Sequence, residues 1–112
     1  LYQIATPRSR FEKMREYYRQ TGQPDPFERP DRPIRRLGLP DSLITATIDA
    51  REYLPKKREA LTCHRTQIST ESRFFTMPEN LAPDGLGLEH FILVRTLVSV
   101  SLPEDDLFAG LR

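Results

Sequence analysis

The sequence predicts a mixed α/β chain, and three stretches carry that prediction. Residues 43–49 alternate, with Ile44, Ala46 and Ile48 on one face and Thr45, Thr47 and Asp49 on the other, the period of a half-buried strand. Residues 54–68 place Leu54, Leu61 and Ile68 seven apart, which stacks them along one side of a helix. Residues 11–18 repeat Phe11, Met14 and Tyr18 at helical spacing, with Tyr17 beside them.

In chain order, Leu1 to Ala5 reads as a strand entered mid-fold, and such a strand needs neighbours to pair with. That start fits a fragment better than a free-standing domain. Thr6 and Pro7 then predict a helix start, with Thr6 capping the free amides and Pro7 in the first turn. Gly22 ends the helix by taking the left-handed conformation. The aromatic stripe of this helix is expected to pack against a sheet.

Residues 23–40 hold Pro24, Pro26, Pro30, Pro33 and Pro40. Each fixes its own backbone and turns the preceding residue away from helix. We expect an extended surface connection, serving as a pocket rim or a spacer. Beyond the strand at 43–49, Asp49 and Glu52 have the spacing of a capping box, while Pro55 divides the helix that this box would start. The expectation is a short turn at 50–53 and a main helix from Pro55 to Ser69 with Leu61 most deeply packed.

Residues 73–77 read as extended, 78–87 as a loop because of Pro78, Pro83, Gly85 and Gly87, and 89–100 as a strand covered on both faces. Pro103 with Glu104, Asp105 and Asp106 opens a last helical turn, acids at its positive end. Leu107, Phe108 and Leu111 are the groups it is expected to bury.

Composition narrows the function classes. The chain has 112 residues, at most one domain, with ten prolines and 38% apolar residues, so its core is modest. Seventeen basic residues face 16 acidic ones, without the cationic surplus of a nucleic-acid binder. The basic clusters at Arg35–Arg36 and Lys56–Arg58 read as solvated faces. The longest apolar run, Phe91 to Val94, is far too short to span a bilayer, and no secretory signal is visible. Cys63 is the single cysteine, which excludes an intrachain disulfide and suits a cytoplasmic protein.

The chemistry-bearing residues are few. His64 follows Leu61 by three and precedes Ile68 by four, and Gln67 lies three beyond His64. On one helix an imidazole and an amide then point from adjacent turns beside an apolar stripe. That is the pattern of a pocket-lining helix, and equally of a polar pair satisfied at a core rim. His64 and His90 are separated by a loop, with no carboxylate at ligand-like spacing, so three converging zinc ligands are not expected within this chain. Cys63 and His64 diverge on a helix, leaving no Cys–His nucleophile, and Cys63 reads as a small buried hydrophobe.

The run Lys57-Arg58-Glu59-Ala60-Leu61-Thr62-Cys63-His64-Arg65-Thr66-Gln67-Ile68 resembles the K-x-x-A-L-x-x-H-x-[ST]-Q segment of the PIG-L/LmbE family. Downstream pieces agree in order: Phe74-Phe75, Glu89-His90-Phe91, and the tail Pro103-Glu104-Asp105-Asp106-Leu107-Phe108-Ala109-Gly110-Leu111. The last two most resemble the branch containing mycothiol S-conjugate amidase. The match covers about residues 43–112 and, more loosely, 1–42.

This resemblance implies a Rossmann-like, LmbE-like sheet-and-helix fold, with residues 1–112 as a C-terminal segment of the domain. It implies a zinc-dependent N-deacetylase or amidase acting on the amide of an N-acyl glucosamine derivative, such as a mycothiol conjugate. The family's His-Pro-Asp-Asp loop and later histidine are absent here, so zinc and the base are expected on an N-terminal portion of the same enzyme, and this segment alone is expected to be inactive. His64 and Gln67 are then expected to contact substrate, with Glu89 a further candidate, in an enzyme that is monomeric or a homo-oligomer. The rival from another class is a non-catalytic interaction module, using the proline-rich stretch or the apolar strand at 91–100 for pairing.

Overall fold

The structure is a computed structural model that describes residues 1–28, 31 and 37–112. Its elements are β1 (Tyr2–Ala5), α1 (Arg8–Thr21), β2 (Ala46–Asp49), α2 (Leu54–Thr62), α3 (Arg73–Thr76), α4 (Ala82–Gly87) and β3 (Leu88–Leu93). Short 3-10 turns stand at Asp41–Leu43, Arg51–Tyr53 and Ala109–Leu111. The three strands form one sheet in the order β1-β3-β2, so the fold is mixed α/β. The described residues divide into two compact units, Leu1–Thr47 with His90–Arg112, and Ile48–Glu89.

In the first unit, β1 lies antiparallel to β3, with register Tyr2↔Leu93 through Ala5↔His90. The expected strand from 89 to 100 is thus real only as far as Leu93. It is the central strand, paired on both sides, so it offers no edge to a partner. Residues 94–100 leave the sheet.

Helix α1 starts one residue later than the sequence suggests. Pro7 occupies the cap position with ψ 146°, and no side chain of the cap bonds the helix. Thr6 therefore lies outside and caps nothing. The first amides are taken up from elsewhere: Arg8 N–H donates to the Leu39 carbonyl at 2.8 Å and Ser9 N–H to Asp41 Oδ1 at 3.1 Å. A carboxylate suits this positive end. The other end behaves as expected, with Gly22 at φ 68°.

Met14 is buried and Phe11 meets Phe27 edge-on at 5.2 Å. Pro24, Pro26 and Pro40 are described, whereas Pro30 and Pro33 lie outside the described residues. The strand expected at 43–49 is shortened to Ala46–Asp49, because Asp41–Leu43 forms a 3-10 turn instead.

The chain's tail also departs from expectation. No helix begins at Pro103. Glu104 instead forms a parallel bridge with Ala46, its N–H donating to the Thr45 carbonyl and its carbonyl accepting from Thr47 N–H. Phe108 and Leu111 are exposed rather than buried. Among the described residues the buried apolar groups are small, Ala5, Ala46 and Ala82 with Met14, so the interior is thin.

In the second unit, Arg51–Tyr53 is the expected turn, but Asp49 and Glu52 make no capping box. Asp49 Oδ1 accepts Arg51 N–H at 3.1 Å, and its two oxygens take the Arg51 guanidinium at 2.9 and 2.6 Å. This pairing holds the Asp49 carboxyl at about 2, from an ordinary 3.8. A depressed carboxylate stabilises the fold above its unfolded value and stops doing so as pH falls. The urea midpoints of wild type and Asp49→Asn are therefore expected to converge between pH 4 and 2. Midpoints that stay equally far apart through that window would count against the pairing.

Helix α2 stops at Thr62, seven residues short of the expected Ser69. Its last turn tightens, with Cys63 N–H on Ala60 O and His64 N–H on Leu61 O, while Thr62 Oγ1 donates to Glu59 O at 2.6 Å. Hydroxyls that bond nearby backbone compete with helix continuation, and Thr62, Thr66, Ser69 and Thr70 crowd this stretch. Leu61 is only half-buried, as α2 has no buried residue.

Residues 73–77, expected to be extended, contain the single-turn helix α3, closed by Phe75 and Thr76 N–H on the Ser72 carbonyl. The expected loop at 78–87 contains α4, where Pro83 sits in the first turn and loses no bond. Gly85 and Gly87 serve close approach: a Cβ would stand 2.5 Å from Met77 Sδ and from Arg51 Cγ, respectively.

Candidate functional site

His64 and Gln67 lie in one backbone-bonded turn rather than on a helix face. Gln67 and Ile68 N–H both donate to the His64 carbonyl, at 2.9 and 2.8 Å. Both side chains are exposed, and Ile68 is half-buried. The expected continuous stripe from Leu54 to Ile68 is broken at Thr62. Cys63 is exposed, not the buried hydrophobe expected.

Within the same unit, Lys57 links two neighbouring segments. Its ammonium donates to the Leu86 carbonyl at 2.8 Å and to Glu89 Oε1. The Glu89 carboxylate is thus engaged by Lys57, which ties α2 to the α4–β3 junction. Arg51 joins Asp49 to Asp84, 3.7 Å away, on the neighbouring turn.

The other unit holds polar groups that sequence reasoning gave no role. His90 Nδ1 lies 3.1 Å from Thr47 Oγ1. Burial, then the Arg10 charge, pushes the imidazole below its ordinary value, and Asp41 opposes them in part. Asp41 itself is lowered, chiefly by the Ser9 hydroxyl and amide that bond it. A neutral, hydrogen-bonded imidazole of this kind orients groups rather than carrying charge. No local pattern in the sequence specifies that Thr47 and His90 face each other, because they are 43 positions apart.

A second feature missed from sequence is Glu104, which read as a helix-start acid. It is only 6% exposed, and the Tyr2 hydroxyl stands 2.9 Å from both its carboxylate oxygens. Beside it, a cavity of about 500 Å³ is lined by Tyr2, Leu93, Arg95, Val98 and Leu107, among others of this unit. His64 and Gln67 are not in its lining.

Among the described residues, no group of three His, Cys, Asp or Glu side chains could hold a metal ion. The described residues do not fit a zinc centre, and no step through zinc follows from them. No helix among the described residues is long and apolar enough to cross a membrane.

Comparison with known proteins gives the class. The chain is 38% identical over 119 residues to the 1D-myo-inositol 2-acetamido-2-deoxy-alpha-D-glucopyranoside deacetylase of Acidothermus cellulolyticus, covering 98% of this chain and 39% of that protein. It is 43% identical over 77 residues to the corresponding deacetylase 3 of Catenulispora acidiphila, covering 67% and 21%. It is 36% identical over 69 residues to the mycothiol S-conjugate amidase of Streptomyces coelicolor, covering 62% and 24%. No family profile matches the chain, and no solved structure does.

The chain folds as mixed α/β, and the relatives it aligns with are named as deacetylases and an amidase. The chain belongs to the PIG-L/LmbE family. It spans about two fifths of the length of the Acidothermus relative.

Proposed function

We propose that residues 1–112 are a C-terminal segment of a cytoplasmic, zinc-dependent N-deacetylase or amidase of Rossmann-like fold. Its substrate is an N-acyl glucosamine derivative, with a mycothiol conjugate the specific candidate. The observation that carries this reading is the 38% identity running across 98% of the chain to a deacetylase named for such a substrate. Zinc and the base belong to an N-terminal portion of the same enzyme, and this segment alone is inactive.

The segment's own contribution is positioning. His64 and Gln67 present an imidazole and a primary amide from one turn, three residues apart, and both are exposed to a ligand. An amide donates and accepts, and so does a neutral imidazole, which suits sugar hydroxyls and an acyl oxygen. Lys57 keeps α2, which leads into that turn, fixed to the Leu86 carbonyl.

The test is kinetic. In the complete enzyme, His64→Ala and Gln67→Ala are each expected to lower kcat/KM by about 2- to 10-fold, the worth of one neutral hydrogen bond of about 0.5–1.5 kcal/mol. The unfolding midpoint is expected to stay put, because both groups are exposed. Unchanged kinetics with normal stability would remove both residues from the site. Failure of the complete enzyme to release acetate or another acyl group from any N-acyl glucosamine derivative would overturn the reading as a whole.

A further inference from the structure

We infer that the outer edge of β1 receives an extended strand from the part of the enzyme that this chain does not contain. The inference rests on the functional reading above, and the hydrogen-bond phase of the sheet carries it. In an antiparallel pair, bonded and non-bonded residue pairs alternate. Val94 N–H donates to the Leu1 carbonyl at 2.9 Å, and the register runs Tyr2↔Leu93, Gln3↔Ile92, Ile4↔Phe91. The bonded partners of β3 are therefore Leu1, Gln3 and Ala5. Tyr2 and Ile4 aim their N–H and C=O groups the other way.

The opposite side of β3 agrees in phase. The Phe91 carbonyl accepts from Thr45 N–H, and Leu93 N–H donates to Thr45 Oγ1, both pointing away from β1.

The two edges of the sheet are treated differently. Beyond β2, Glu104 brackets Ala46 through the bonds to Thr45 and Thr47. Beyond β1, Leu39 takes only the far end, accepting from Arg8 N–H and donating to the Thr6 carbonyl at 2.9 Å. Over Tyr2 and Ile4 no described residue receives the outward groups, and the Ile4 side chain is 80% exposed. Natural sheets guard such an edge with charges, proline or a bulge. Tyr-Gln-Ile-Ala has none of these.

An edge that the described residues leave unguarded, next to an exposed isoleucine, is a site for strand addition. The occupant follows from length: the chain covers 39% of the Acidothermus deacetylase, so most of that protein lies outside the match. A strand from that remainder extends the line that Leu39 begins.

The experiment co-expresses this chain with the unmatched portion of the Acidothermus deacetylase and follows amide hydrogen exchange at Tyr2 and Ile4. In the complex both amides are expected to slow by at least about 100-fold relative to the chain alone. Ile4→Pro removes only an outward N–H, at an edge position where proline is tolerated, and keeps the Gln3 and Ala5 bonds. It is expected to fold as wild type and to bind the complement about tenfold more weakly or worse.

Absence of a complex, unprotected Tyr2 and Ile4 amides within it, or full-strength binding by a folded Ile4→Pro would overturn the inference. So would protection that appears when the chain alone is concentrated, which would assign the edge to a second copy. If Ile4→Pro does not fold, the exchange measurement on the wild-type complex decides. A protected complex that hydrolyses no N-acyl glucosamine amide leaves this inference standing and removes the functional one. A hydrolysing complex with exposed edge amides does the reverse.

Discussion

Gly38→Ala is expected to destabilise the chain by about 2–5 kcal/mol, because one added methyl group meets both a strained backbone and crowded neighbours. Gly38 has φ 73°, and a Cβ there would stand 3.0 Å from Arg8 Cα, from Phe11 Cδ2 and from the Thr6 carbonyl. The left-handed backbone costs an L-residue about 1–2 kcal/mol, and overpacking against backbone adds about 1–3 kcal/mol. Two of the three neighbours are backbone atoms, which cannot swing aside. The displaced segment also carries Leu39, whose carbonyl and N–H serve Arg8 and Thr6.

Gly22→Ala is the comparison. It has φ 68° with nothing within 4 Å of the new methyl group, so it bears the backbone cost alone. Urea unfolding of both variants separates conformation from crowding. Equal losses for the two would show that the Gly38 clasp is not formed.

Glu104→Ala is expected to cost about 1.5–3 kcal/mol, the worth of a hydrogen bond to a charged group. Its carboxylate is nearly enclosed and receives the Tyr2 hydroxyl at 2.9 Å on both oxygens. Tyr2→Phe removes the donor instead, and because the two groups share one interaction their effects are expected to be non-additive in a double-mutant cycle.

The pH dependence gives a second readout. Burial first, then Glu104, raises the Tyr2 hydroxyl above its ordinary 10.0. A raised acid stabilises the fold below its unfolded value, and that share disappears as pH climbs through the folded one. Wild type is therefore expected to lose stability above pH 10 more steeply than Tyr2→Phe. Parallel alkaline limbs for the two proteins, with additive single losses, would contradict the contact.

Local signals were legible wherever one residue type dictates one backbone state. Gly22 at a helix end, the strand at β1, the turn before Pro55 and the alternation around Ala46 to Asp49 all needed no tertiary knowledge. What failed needed partners far along the chain. Thr6 could not be excluded as a cap without knowing that Asp41 and Leu39 arrive at that helix end. Glu104 could not be told from a helix-start acid without Tyr2, which is 102 positions away.

The misread stretch at 73–87 failed for a different reason. Proline and glycine signal loops on average, yet Pro83 fits a first turn and Gly85 and Gly87 allow close packing. His64 and Gln67 share one backbone-bonded turn, not the helix face expected for them. Their three-residue separation holds them in one turn, while the helix assumed to carry them ends at Thr62. His90 had no legible role because its neighbours Thr47, Asp41 and Arg10 come from three separate segments.

The unit made of Leu1–Thr47 and His90–Arg112 is discontinuous in sequence, and that matters for a nascent polypeptide. While the ribosome is still extending the chain, β1 has no β3 to pair with, and the Tyr2 hydroxyl waits for Glu104, 102 residues further on. The intervening stretch, contiguous from Ile48 to Glu89, is complete much earlier. Synthesis thus favours an order in which the middle organises first and the two flanks close last, a long-range closure of the kind that slows folding and prolongs exposure of unpaired strands.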